Sequence, residues 1–559
     1  MSKEGPASRI AAGALLVLFF LTVTIAVSTK SATYDESVHI FSGWRILTAG
    51  DFATNHEHPP LMKALAAIPV ALSGAAPPKA AMRREVDEWN VSHDFVYHAN
   101  DGDRMLARTR LPVALLATLL AWALYRYAAA AFGPAAALVA LALLVSEPNI
   151  LAHSGLVTTD LGITALTFFT FAAFVTWLRT RASAWLYGTG LLFGLALLTK
   201  FTAILLAPIL ILTGAIHAWM EGTKRRGDLA RAPAVIGLVG LFVLNLGYGF
   251  SGSFSSLRSF PPESETFRAR AAGPFGGLPL PLPVEYVRGY DHAEAGGQLW
   301  WAYLFGEHSR TGWRHYYLAA LAVKTPLPLL AMALAGLLLC PRAAGSPRQG
   351  AAGAAAIRPA DALLPVAPIL VYLAAFTLSG NLKNIGLRYI LPLYPFLCLM
   401  AALAARALWS RIRARRAIIA LTAWQLLVAA WMYPDYLTFF NLTVGGPSHG
   451  AEVLLDSNLD WGQDLKGLGR YIKDHRIERI YVDYFGRACK RYYGVTSTPD
   501  FTGGWIAVSA TNLRGVYADD KERYRFLWDL TPAARIGGSI FVYDVPRPEG
   551  WTPKSVAGD

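Results

Sequence analysis

Between positions 34 and 63 the chain reads YDESVHIFSGWRILTAGDFATNHEHPPLMK. Asp35 and Glu36 open this stretch, and Glu57, His58 and Lys63 close it around a Pro-Pro step. A carboxylate of this kind can take a proton as a general base. A lysine or a protonated histidine can supply the positive charge that a phosphate requires. More residues of the same types stand beside apolar runs downstream: Asp160 after Thr158 and Thr159, Lys200 after Thr199, Lys324 before Thr325-Pro326, and Arg388 with Tyr389 in GLRY. Each has a structural competitor. Asp35 and Asp160 could cap helices. Glu57 and His58 could cap an interfacial helix, while Lys63, Lys200, Lys324 and Arg388 could snorkel to headgroups.

The elements that must carry these groups are membrane helices. The chain has 559 residues, of which 54% are hydrophobic and 16% charged. A soluble chain carries about 25% charged residues. The apolar residues come in runs long enough to cross a bilayer, which takes about 20 residues. Eleven runs qualify, at 9–28, 109–131, 134–152, 160–178, 184–199, 201–219, 233–251, 315–340, 362–379, 388–407 and 416–433. The division at 199–201 is the delicate one, because joining the two runs reverses everything after it. The first run follows Lys3 and Arg9 like a signal peptide, but it is long for one and lacks a small-x-small cleavage site, so it reads as a retained helix.

The net charge of +13 belongs mostly to short loops, which argues against nucleic acid as the partner. One set of loops holds Arg179 and Arg181; Lys224, Arg225, Arg226 and Arg231; Arg342, Arg348 and Arg358; and Arg406, Arg411, Arg413, Arg415 and Arg416. The opposite short hairpins hold only Lys200, Lys383 and Arg388. Positive charge marks the cytoplasmic side. The N-terminus is therefore cytoplasmic, and the loops 29–108 and 252–314 and the tail 434–559 face outward. Residues 342–359 are Gly/Ala-rich and read as a flexible linker.

Two short interfacial helices are expected in the first outer loop, at 37–49 and 61–72. The loop 252–314 carries Trp300, Trp301, Tyr303 and Trp313, for which a headgroup-level aromatic belt is the simplest reading. The tail changes character: strands are expected at 480–485, 505–509 and 539–545, and a helix at 465–475. The fold class is thus a polytopic α-helical membrane protein with a small extramembrane α/β domain, divided as 1–433 and 434–559. Three cysteines, at 340, 398 and 489, give no disulfide framework. His56, His58, His93 and His98 match no zinc spacing.

D-E-x-x-H, then G-D, then E-H-P-P-L-x-K, placed just after a first membrane helix, resembles the first outer loop of the GT-C glycosyltransferases. More narrowly it is similar to the protein O-mannosyltransferase and lipid A aminoarabinose transferase branch and its bacterial relatives. LVTTD (156–160), GLALLTK (194–200) and GLRYILPLYP (386–395) are similar to further stretches of these enzymes. The resemblance spans about residues 10–433, and DSNLDWGQDL (456–465) resembles a recurring segment of bacterial tails whose role does not follow from its composition.

The resemblance implies a GT-C-like fold in a bacterial cytoplasmic membrane. It implies inverting transfer of a sugar from a polyprenyl phosphate to an acceptor hydroxyl at the outer face, the acceptor being a protein, lipid A or another glycan or glycolipid. It makes Asp35 the expected base, with Glu36 beside it. It expects Glu57, His58, Lys63, Asp160, Lys200, Arg388 and Tyr389 to bind donor phosphate or sugar. His58 stands where the aminoarabinose branch has a lysine, which puts a permanent charge there in doubt. No cofactor is obligatory, and a divalent ion between Asp35 and Asp160 stays open. No P-loop or dinucleotide fingerprint competes with a lipid-linked donor. The alternative from another class is a transporter or flippase, although no half-to-half repeat is evident.

Overall fold

The structure is a computed structural model that describes residues 5–79, 87–221, 226–296, 300–345, 358–378 and 384–546. Lys3, Lys224, Arg225, Arg348, Lys383 and most of the 342–359 linker lie outside the described residues.

Among the described residues, seven helices are long and apolar enough to cross a membrane, or eight if one bent pair counts as a single span. All eleven expected runs are largely helical, but four depart from a plain crossing. The run at 134–152 splits into Pro134–Val145 and Pro148–His153. Glu147 makes the break, its carboxylate accepting the Ile150 N–H at 2.6 Å ahead of a proline in the first turn. The run at 184–199 forms Ser183–Leu197, only 15 residues long. The run at 315–340 bends by 116° between Tyr316–Lys324 and Leu327–Arg342. Thr325 is extended there, as a residue before proline tends to be. The last run forms Ile412–Trp431, whose first turns carry Arg413, Arg415 and Arg416. The division at 199–201 holds: one helix stops at Leu197, and a 3-10 turn restarts the chain at Phe201–Leu205.

Burial separates inner from outer helices. Of the helix Pro6–Ser28, 28% of the apolar window is buried, against 83% for Thr159–Thr180 and 89% for Leu387–Leu408. These two central helices begin with Thr159-Asp160 and, through a 3-10 segment, with Leu387-Arg388. Two candidate site residues therefore start the most enclosed elements.

The segment 29–108 contains both expected helices, Glu36–Ala49 and Leu61–Leu72, and a third, Glu88–Tyr97, that was not expected. The first two cross closely. A Cβ at Gly43 would fall 2.0 Å from the Lys63 carbonyl oxygen, so only glycine fits the crossing. Glu36 accepts the Thr33 backbone N–H at 2.8 Å, which ties the start of the helix to the turn before it.

The tail forms a four-stranded sheet in the order Ile480–Asp483, Gly504–Ser509, Ile540–Val545 and Ala534–Ile536, with the first pair parallel and the others antiparallel. The helix Leu465–Asp474 lies where expected, and the strand Ala534–Ile536 is additional. Three of the aromatics of the 252–314 loop engage the tail, although Trp300 stays 39% exposed. Trp301 takes the Lys521 ammonium at 3.7 Å and the Arg310 guanidinium at 4.7 Å, Trp300 meets Tyr517, and the Tyr303 hydroxyl donates to Ala451 O.

Candidate active site

Four charged side chains from four distant segments converge. Arg388 Nη1 lies 3.3 Å from Asp35 Oδ2 and 3.6 Å from Asp160 Oδ2. Lys200 Nζ lies 2.5 Å from Asp160 Oδ1. Both cations also stand against the Tyr389 ring, Lys200 at 4.4 Å and Arg388 at 5.5 Å. The two Arg388 contacts are looser than a charge-assisted hydrogen bond of about 2.7–2.9 Å, so the guanidinium is held near both acids without being consumed by either.

Asp35 precedes the helix Glu36–Ala49, but its carboxylate makes no capping hydrogen bond. Its side chain keeps 16% of its exposure and faces Arg388. Capping therefore does not explain it. Asp160 is enclosed in the first turn of its helix, and its Oδ2 has no hydrogen-bond partner among the described residues. The helix N-terminus favours its charge, but Thr158 rather than Asp160 holds the cap position.

Glu36 is fully buried and is not available for chemistry. Arg110 donates to both of its oxygens, at 2.9 and 2.6 Å, and Val157 N–H adds a third bond at 3.0 Å. Burial by itself would raise the Glu36 carboxyl. Arg110 and the backbone donors outweigh it and hold the group below its ordinary value. The expected catalytic role for Glu36 is replaced by a structural one: it ties the first outer loop to the helix Gly102–Phe132 and to the strand of chain ahead of Asp160.

Lys63 also departs from expectation. It is buried, and its Nζ donates to Asn55 O at 2.7 Å. Burial lowers its pKa to about 7, partly offset by Glu88, Glu57 and Asp51. A lysine half neutral at pH 7 is a brace for the 54–58 turn, not a fixed phosphate charge. The effect on stability has a definite sign. Between about pH 7 and the ordinary value of 10.5, the unfolded chain holds a proton that the folded chain has released, so stability rises with pH across that window. In Lys63→Met the difference in thermal midpoint from wild type should therefore move steadily against the variant from pH 7 to pH 10. Intrinsic tryptophan fluorescence of the detergent-solubilised protein reads it, and a difference flat in pH refutes the assignment.

His58 is half-buried and meets His39 edge to face at 5.0 Å. Burial, then the positive neighbours His39, Lys63, Lys200 and Arg388, push its pKa well below the usual value. It is neutral at pH 7 and offers hydrogen bonds, not charge. Glu57 is half-buried and accepts from Asn55 Nδ2 at 3.3 Å. Lys324 is tied to two carbonyls, Leu437 O at 2.7 Å and Asn458 O at 2.6 Å.

The segment DSNLDWGQDL forms the back of the site, which its composition alone did not disclose. Trp461 lies under the Arg388 guanidinium at 4.3 Å. Asn458 Oδ1 accepts the Leu387 N–H at 2.8 Å, and Ser457 Oγ donates to Ile385 O at 2.7 Å. Trp461 O accepts the Tyr34 N–H at 2.8 Å, beside Asp35. Lys30, at the end of the first helix, pairs with Asp464 at 2.6 Å and with Asp435. The tail thus fixes both the arginine and the backbone next to the acid. Arg110 was overlooked as well. Its signal was an arginine at the start of the apolar run 109–131, where enclosure requires a buried partner.

A family model described as dolichyl-phosphate-mannose-protein mannosyltransferase matches residues 102–246, which include Asp160 and Lys200 but neither Asp35 nor Arg388. No curated protein matches the sequence. Among solved structures, the chain is similar to ArnT from Cupriavidus metallidurans bound to undecaprenyl phosphate, at 15% identity over 98% of each chain with a TM-score of 0.47. It is also similar to the archaeal oligosaccharyltransferase AglB from Archaeoglobus fulgidus in complex with an inhibitory peptide and a dolichol-phosphate. That match has 12% identity over 91% of this chain and 70% of the other, with a TM-score of 0.48.

Proposed function

We propose that this protein is a glycosyltransferase that moves a sugar, with inversion, from a polyprenyl phosphate to an acceptor hydroxyl at the outer face of a bacterial cytoplasmic membrane. The observation that carries the reading is the convergence of Asp35, Asp160, Lys200 and Arg388 where the two most enclosed helices begin. The family match over residues 102–246 supports a lipid-phosphate donor.

In this reading Asp35 accepts the acceptor's hydroxyl proton as that oxygen attacks the anomeric carbon. The bond from that carbon to the phosphate oxygen breaks, and its electron pair leaves with the lipid phosphate. Arg388 and Lys200 neutralise the departing charge, and Asp160 holds Lys200 in place. Arg388 Nη1 stands 3.3 Å from Asp35 and 3.6 Å from Asp160, and in this reading it serves as their counter-charge. The residues 434–559 stand outside the membrane in this arrangement and complete the site through Trp461.

The test offers membranes containing the protein a panel of radiolabelled polyprenyl-phosphate sugars and scans protein and lipid extracts for label. Label absent from both, with folded protein and a broad panel, sinks the transferase. Movement of intact lipid-linked sugar across the membrane would instead favour the flippase.

Trp461 is a positioning residue on this account. Stacking of this kind is worth about 0.5–2 kcal/mol. Trp461→Ala should therefore raise KM for the lipid donor by roughly 2- to 30-fold, with a smaller change in kcat, and Trp461→Phe should recover most of the loss. A fall in kcat alone, with KM unchanged, contradicts the role.

A further inference from the structure

We propose that His56, Glu263 and His292 form a binding site for a zinc-type divalent metal ion that fastens the first outer loop to the 252–314 loop. One ligand atom from each residue lies within 4.8 Å of the other two. His292 Nδ1 and Glu263 Oε2 are 2.8 Å apart, and the rings of His56 and His292 meet edge to face at 4.9 Å. The three residues come from segments more than 200 positions apart in the case of His56, so no sequence spacing announces them.

The state of His56 points to a ligand. Its Nδ1 lies 3.1 Å from Ala53 O, so that nitrogen carries the proton and donates it. Nε2 then presents a lone pair. It is screened from solvent and has no hydrogen-bond partner among the described residues. Metal-bound histidines have this arrangement: one ring nitrogen donates to a carbonyl, which fixes the tautomer, and the other faces the ion. A screened acceptor with nothing to accept from otherwise costs free energy.

The scaffold is fixed without an ion. Buried Asp291 accepts the backbone N–H groups of Glu263 at 2.7 Å and Ser264 at 2.9 Å. This holds Glu263 beside the helix Val284–Ala295, which carries His292. The same helix lies directly on the His56 backbone, since a Cβ at Gly289 would fall 1.9 Å from His56 O. Two histidines and one glutamate are a set that zinc accepts, leaving a fourth position for water. Imidazole nitrogens disfavour calcium and magnesium, which take oxygen. Ligand atoms bound to zinc at about 2.0–2.2 Å stand roughly 3.3 Å apart. Rotation of the exposed Glu263 side chain, together with His292, closes the remaining gap.

The test uses the full chain in detergent, carrying a tag without histidines and stripped with chelator. Zn2+ is titrated against a chromophoric chelator, and Co2+ is followed by visible absorption. One Zn2+ per chain is expected. Affinity should fall at least about 10-fold in Glu263→Gln and in His292→Ala, with loss of the tetrahedral cobalt bands. Glu263 is exposed, so its replacement leaves the fold intact. Zinc should raise the thermal midpoint of the wild type and not of Glu263→Gln. Equal zinc retention by wild type and both variants, or none by the wild type, overturns the proposal. Neither readout depends on the transferase reading.

Discussion

Asp35→Asn should abolish most sugar transfer, by about 10²–10⁴-fold in kcat, which is what a positioned general base contributes, and should leave the thermal midpoint and the donor KM nearly unchanged. Asparagine preserves the size of the side chain and can still approach Arg388, which keeps Asp160 at 3.6 Å as its counter-charge. What it cannot do is accept the acceptor's proton. The side chain retains some exposure and caps nothing, so the fold does not depend on its charge. The measurement is initial-rate transfer in matched membranes, with wild type and variant quantified by detergent size-exclusion. An Asp35→Asn enzyme as fast as the wild type would leave this carboxylate without a catalytic role.

Glu36→Gln, one residue later, has the opposite consequence: the protein loses stability. Glu36 is fully buried, and it is the carboxylate partner of Arg110, which also donates to Val27 O, Lys30 O and Ser31 O. Removing one member of such a pair leaves a buried charge uncompensated, at a cost of about 3–5 kcal/mol. The glutamine also gives up acceptor capacity toward Thr33 and Val157. The variant should show a much lower thermal midpoint and a reduced folded yield. Arg110→Gln added to it should recover part of the loss, because the two charges then disappear together. The pH dependence has a fixed direction. The folded carboxyl is held below its ordinary value of 4.5, so the stability it confers is complete above that pH and is lost as pH falls through the lower folded value. A Glu36→Gln protein with wild-type stability would remove the pair from the fold's main supports. If both outcomes are met, the two substitutions separate the proposed catalytic carboxylate from its architectural neighbour.

This pair also shows how far residue types reach. Asp35 and Glu36 look equivalent in the string YDES, and both read as acids just outside a first membrane helix. Only the partner of each distinguishes them. Arg110 lies 74 residues from Glu36, and Arg388 lies 353 residues from Asp35. Lys63 reads as positive charge from its type and His58 as a titratable group, yet enclosure brings the pKa of the first down to about 7 and pushes that of the second well below its usual value. Desolvation is a property of the packed state, and a sequence does not state it.

The family resemblance named a wider set of site residues than the four that converge; the sequence taken alone determined the membrane-spanning class, the helical runs, the break at 199–201 and the α/β character of the tail. These follow from local quantities: apolar run length, flanking charge, alternation and residue type. The tertiary structure alone decided which charges pair, which crossings bend or fall short, and that Trp461 and Asn458 of the tail set Arg388 in place. It also decided that His56, Glu263 and His292 meet at all. The reason is physical. Pairing energies depend on distance and burial, and both are set by contacts between segments hundreds of residues apart, where no local pattern in the chain records them.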